Sequence, residues 1–156
     1  MTDNYIGIMI ESLRRKKDVL TDILKLSEEQ SLLLDDPNLE PDTFEKNVNR
    51  KAALIEKLEQ LDTGFESLYD KVKEELESNR DIHKEQIRQM QELIRALTEL
   101  NMQIQATEAR NKEKATAKFA YIRQQAKEIR SSQKIVKEYY NNMMHKAYNE
   151  DRKSVV

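Results

Sequence analysis

Two histidines, His83 and His145, and two adjacent glutamate pairs, Glu28-Glu29 and Glu74-Glu75, are the side chains whose types suit acid–base or metal chemistry. Metal binding needs several ligands at matched spacing, and general acid–base work needs paired groups in a dry pocket. The histidines lie far apart and have no ligand spacing to each other. The glutamates fall at helix-surface spacing, where a solvated face is the simpler reading. No Gly-rich phosphate loop, nucleophile elbow or H-E-x-x-H segment occurs. The absence of cysteine excludes disulfides, thiolate chemistry and Cys-based zinc sites. The chain therefore reads as a non-enzyme that needs no cofactor and no metal. Tyr121, Tyr139, Tyr140 and Tyr148 cluster near the C-terminus among Lys and Arg, a combination that single-stranded nucleic-acid platforms also use. Tyr140, however, lies on an apolar helical stripe and Tyr139 flanks it. Tyrosine is enriched at protein interfaces because it is amphipathic. A protein partner is expected, and no nucleic acid.

The elements that position these residues are helices. Charged residues make up 36% of the 156, with only two Gly and two Pro. Straight side chains lose little rotamer freedom in a helix, so this composition favours long helices over turns. Apolar residues recur at heptad spacing, which separates the chain from a disordered one. The first helix is expected from about Asn4 to Leu33, with Ile6, Ile10, Leu13, Leu20 and Leu24 as its stripe. Met9 and Ile23 widen the stripe, and Lys17 fills a gap in it. Arg14-Arg15-Lys16-Lys17 reads as a solvated face with one snorkelling lysine. Asp35-Asp36-Pro37 ends the helix. The second is expected from Thr43 to Ser78, with Asp42 or Thr43 as its cap and Glu45 completing a capping box. Phe44, Val48, Ile55, Leu58, Phe65, Val72 and Leu76 form one seam, with Leu54, Leu61 and Leu68 beside it. Leu58, Phe65 and Leu68 are the expected buried centre. Gly64 reads as a site of close helix packing or a slight bend. Ser78-Asn79-Arg80-Asp81 is the second turn. The third helix carries Ile87, Met90, Ile94, Leu97 and Ile104, and its apolar pattern lapses over 105–114. The fold class that follows is all-α, an antiparallel three-helix coiled-coil-like bundle with a long C-terminal helix.

Charge divides the chain. Residues 1–104 carry a net charge of −8 and residues 105–156 a net of +6. The expected organisation is an acidic helical bundle core over 1–104, a basic amphipathic helix over 105–145 and a flexible tail over 146–156. No run of apolar residues is long enough for a transmembrane segment. The N-terminus lacks the basic start and apolar block of a signal peptide, so the simplest location is cytoplasmic.

Within the basic helix, periodicity resumes as Ala115, Phe119, Ile122, Ala126, Ile129, Val136, Tyr140 and Met143, with Gln133 as the single gap. An apolar stripe with cations on the opposite face can be completed by another amphipathic helix. Alternatively, the segment folds back on its own hairpin or pairs with a second copy as a homo-oligomer. A structural coiled-coil tether or dimerisation protein is thus an alternative function. A membrane-surface helix is less suited, because the stripe contains alanines and no tryptophan.

The segments VLTDILKLSEEQSLLL (19–34), FEKNVNRKAALIEKLEQLDTGFESLYDKVKEEL (44–76) and ELIRALTELNMQIQATEARNK (92–112) resemble, in order and spacing, the FlgN family of flagellar export chaperones in its Gram-positive form. The features are K-x-x-L-I-x-x-L-x-x-L-D, from Lys51 to Asp62, and L-N-x-x-I-x-x-x-E-x-x-N, from Leu100 to Asn111. The resemblance covers roughly residues 13–145. It implies a cytoplasmic chaperone of flagellar type III secretion that binds the C-terminal segments of the hook-associated proteins FlgK and FlgL and helps deliver them to the export gate. Client contacts in the family are attributed to the C-terminal amphipathic region. Here that region maps onto Phe119, Ile122, Ala126, Ile129, Val136, Tyr140 and Met143.

Overall fold

A computed structural model of the chain describes the backbone of residues 2–155 and the side chains of residues 4–145. Three α-helices follow in order: α1 (Thr2–Asp35), α2 (Pro41–Ser78) and α3 (Lys84–Val155). Among the described residues there is no strand. The chain forms two compact units, Met1–Lys114 and Ala115–Val156. α3 is one uninterrupted helix of 72 residues, so the apolar lapse over 105–114 does not break it. The expectation of a flexible tail over 146–156 falls outside the residues whose side chains are described.

The turns form where local chemistry requires them. Asp36 Oδ1 accepts from the Asn38 N–H at 2.8 Å, and the Leu39 N–H reaches the Asp36 carbonyl at 3.3 Å. Asp at the first position and Pro37 at the second favour such a turn. The start of α2 differs from expectation. Pro41 occupies the first helical turn, Glu40 stands at the cap with no side-chain cap bond, and Asp42 lies inside the helix. Proline has no N–H to leave unpaired there, and Asp42 complements the helix dipole. The second turn follows Asn79, whose N–H closes onto the Glu75 carbonyl at 2.9 Å. His83 is buried beneath it, with Nδ1 3.2 Å from Gln86 Oε1 and Nε2 3.4 Å from Glu75 Oε1. The histidine therefore serves this turn structurally.

Cross-helix pairs fix the directions within the first unit. Lys16 Nζ meets Asp62 at 2.5 Å, and Asn47 Nδ2 donates to the Leu26 carbonyl at 2.9 Å. Early residues of α1 thus face late residues of α2, so these helices are antiparallel. Ser27 bonds Glu108 and Ser31 bonds Lys114, so α3 runs parallel to α1. The core gathers Ile6, Met9, Leu13, Leu20 and Ile23 of α1, Val72 and Leu76 of α2, and Met90 and Leu97 of α3.

The buried seams differ by single residues from those expected. On α1 the seam runs Leu13, Lys16, Leu20, Ile23, Ser27, Gln30, Leu34, in steps of three and four. Lys16 is the snorkelling lysine, while Lys17 is exposed and Leu24 only half-buried. On α2, Asn47 and Lys51 are buried, whereas Val48 and Ile55 are exposed. Leu58, Phe65 and Leu68 pack against the core but remain half-buried. Ile94 of α3 is also exposed. Gly64 has no neighbouring side chain or helix within 4 Å of where a Cβ would stand, so close packing does not explain it.

Candidate functional site

In the second unit, the stripe residues take consecutive steps of three, four or seven along α3, which places them on one side of the helix. Phe119 is 46% exposed, Ile129 57% and Val136 65%, and Ile122, Tyr140 and Met143 are exposed as well. Ala126 is intermediate. Large apolar side chains in a periodic, solvent-facing row are what an interface presents before its partner arrives. Tyr121, Ile135 and Tyr139 add exposed apolar surface on a neighbouring side of the same helix. All described side chains from 127 to 145 are exposed.

The first unit holds a feature that apolar periodicity could not reveal. Ser27, Gln30, Asn47, Lys51, Thr107 and Asn111 are all buried, at the end of the bundle where α1 turns into α2. Lys51 Nζ donates to Glu108 Oε1 at 2.5 Å and to Gln30 Oε1 at 2.9 Å. Ser27 Oγ donates to the same Glu108 oxygen at 2.6 Å. Asn111 Nδ2 reaches the Ser27 carbonyl at 2.8 Å and Gln30 Oε1 at 3.2 Å. Lys114 closes the layer on Ser31 and Asp35 at 2.8 and 2.9 Å. Burial pushes the Glu108 carboxyl up, but hydrogen bonds from Lys51 and Ser27 and the Lys51 charge outweigh it, leaving Glu108 below the usual glutamate value. Two buried acceptors, Asn47 Oδ1 and Asn111 Oδ1, have no partner. The residues over 105–114 that showed no apolar face therefore keep the heptad phase with polar side chains.

This layer is linked to the two segments described from sequence. Lys51 opens the first of them, and Glu108 and Asn111 close the second. They lie 57 or more residues apart in the chain and meet in one hydrogen-bonded cluster. Its hydrogen bonds join α1, α2 and the first part of α3 within the first unit.

Among the described residues no group of three His, Cys, Asp or Glu side chains could hold a metal ion. Among the described residues no helix is long and apolar enough to cross a membrane. Comparison with the curated proteins and with the solved structures returns no match. The family model described as FlgN protein matches residues 1–151. The helical bundle, the two segments joined at its polar layer and this match point the same way: the chain belongs to the FlgN family of flagellar export chaperones.

Proposed function

We propose that this protein is a cytoplasmic chaperone that holds the C-terminal segments of the hook-associated proteins FlgK and FlgL and delivers them to the flagellar export gate. The supporting observation is the apolar stripe of Phe119, Ile122, Ala126, Ile129, Val136, Tyr140 and Met143 on one helix side, exposed at every position but the half-buried Ala126. A client segment laid into it removes apolar area from water on both partners, at about 25 cal/mol per Å². A disordered client folds as it binds, which lowers the net affinity and keeps the complex releasable. In this reading the acidic bundle is a rigid base and the basic helix is the client-holding element.

Stripe residues exclude water at the centre of an interface, whereas exposed charges mainly speed encounter. Ile122→Asp with Ile129→Asp is therefore expected to abolish capture of a hook-associated C-terminal peptide in calorimetry, with helix content by circular dichroism unchanged. Wild-type binding should be detectable at tens of micromolar, where a contact of about −6 kcal/mol begins to show. Equal affinity of the Asp pair and the wild type would reject the stripe as the client site. A constitutive dimer that binds no peptide would favour the tether instead.

A further inference from the structure

The stripe has a handedness in its charges. Phe119, Ala126, Gln133 and Tyr140 take heptad position a, and Ile122, Ile129, Val136 and Met143 take position d. The two flanking rows of a helix pair are then e and g, the rows that set partner choice and orientation. Arg123, Arg130 and Lys137 occupy three successive e positions. The opposite flank carries Gln125, Ser132 and Tyr139 at g. All six are exposed. One side of the apolar seam is therefore a cationic row and the other is neutral over the same three heptads. Lys127 and Lys134 lie a step further out, at b, beyond direct reach of a helix seated on a and d.

From this we infer that the occupant of the stripe is an amphipathic helix from another protein that carries acidic residues at seven-residue spacing along the edge facing Arg123, Arg130 and Lys137. This inference rests on the client-binding reading of the stripe and adds the chemistry of the client. A second copy of this chain is a poor occupant. In an antiparallel pair, e faces e, so three cations would face three cations. In a parallel pair, e faces the g residue five positions earlier, so Arg123, Arg130 and Lys137 would face Lys118, Gln125 and Ser132 and gain no ion pair. Gln133 would also meet its own copy, or lie opposite an apolar residue, in the seam. An anionic bilayer fits less well than an acidic helix. A helix lying in the interface buries large apolar residues and spreads cations along both edges of its apolar face. Here one edge carries no charge from Gln125 to Tyr139, the seam contains alanine and glutamine, and the chain has no tryptophan.

The test uses the full chain and three synthetic helical peptides of about four heptads, with Ala at a and Leu at d. The peptides differ only at e and g, which carry Glu, Gln or Lys. Calorimetry is expected to show the Glu peptide binding about tenfold tighter than the Gln peptide, as three exposed ion pairs supply together, with the Lys peptide weakest. Arg123→Glu with Arg130→Glu should reverse that order. Lys127→Glu with Lys134→Glu changes the net charge by the same amount and should shift the Glu-peptide affinity less than about twofold, because long-range charge is screened. Equal affinities for the three peptides, or a b-position pair as damaging as the e-position pair, overturn the inference. In either case the client reading stands on its own test, provided the hook-associated peptide is still captured by wild type and lost by the Ile122/Ile129 variant. Two further outcomes also overturn it: a dimer in sedimentation that the Ile122/Ile129 variant abolishes, and tighter binding to phosphatidylglycerol vesicles than to the Glu peptide.

Discussion

At the residue scale, Glu108 is the side chain whose environment has a measurable consequence. It accepts bonds from Lys51 and Ser27, and its carboxyl is held below the ordinary value. A depressed folded value means that the ionised carboxylate stabilises the fold above the unfolded value of about 4.3. That contribution is lost as pH falls through 4.3 and on through the lower folded value. Glu108→Gln keeps an acceptor but no charge. Its urea midpoint should lie below wild type at neutral pH, and the gap should be smaller at a pH below the unfolded value. A gap of the same size at both pH values would show that the charge is not felt. Lys51→Met should cost about 1–2 kcal/mol, the lower part of the range for bonds to charged groups, because the Glu108 side chain is 40% exposed and partly screened.

At the element scale, the unequal burial of the helices sets where the bundle is vulnerable. α1 carries most of the fully buried apolar residues, Leu20 among them at 1% exposure. α2 meets the core mainly through half-buried leucines and Phe65, which stacks on Tyr69 with ring centroids 6.5 Å apart. Leu20→Ala should therefore cost about 3–4 kcal/mol, within the range for a buried leucine. Phe65→Ala should cost about 2 kcal/mol, roughly half the value for a fully buried phenylalanine. Chemical denaturation of both variants checks this ordering. A larger loss at Phe65 than at Leu20 would contradict the half-buried position of the α2 seam.

At the scale of the whole molecule, the two units differ in what keeps their helices formed. Helical segments of the first unit share a core. The second unit is helical over residues whose side chains are exposed from 127 to 145. An isolated helix gains little from its own hydrogen bonds, and most helical stability in proteins comes from tertiary packing. Amide exchange over 127–145 should therefore show protection at least ~100-fold below that at Leu13, Leu20 and Leu97, which open only with the bundle. A hook-associated peptide that seats on the stripe should raise protection there and leave the bundle amides unchanged. Uniform protection along α3 without peptide would mean that the second unit is packed in solution.

Helicity, the two turns and the apolar stripe of α3 were legible in the amino-acid sequence because they depend on neighbours within a few residues. Pro37 and Asn79 bias their own backbone, and steps of three and four place side chains on one helix side whatever lies opposite. Tertiary structure alone decided which of two adjacent positions turns inward. Lys16 rather than Lys17, Asn47 rather than Val48, and Lys51 rather than Ala52 face the bundle. Apolar residues on both flanks of α2 permit either choice locally. The choice is made by partners far away in the chain: Asp62 for Lys16, the Leu26 carbonyl for Asn47, and Glu108 with Gln30 for Lys51. A polar side chain becomes a seam residue only when a distant helix supplies its hydrogen bond, because burying it unbonded costs more than leaving it in water. No periodicity of apolar residues records that condition.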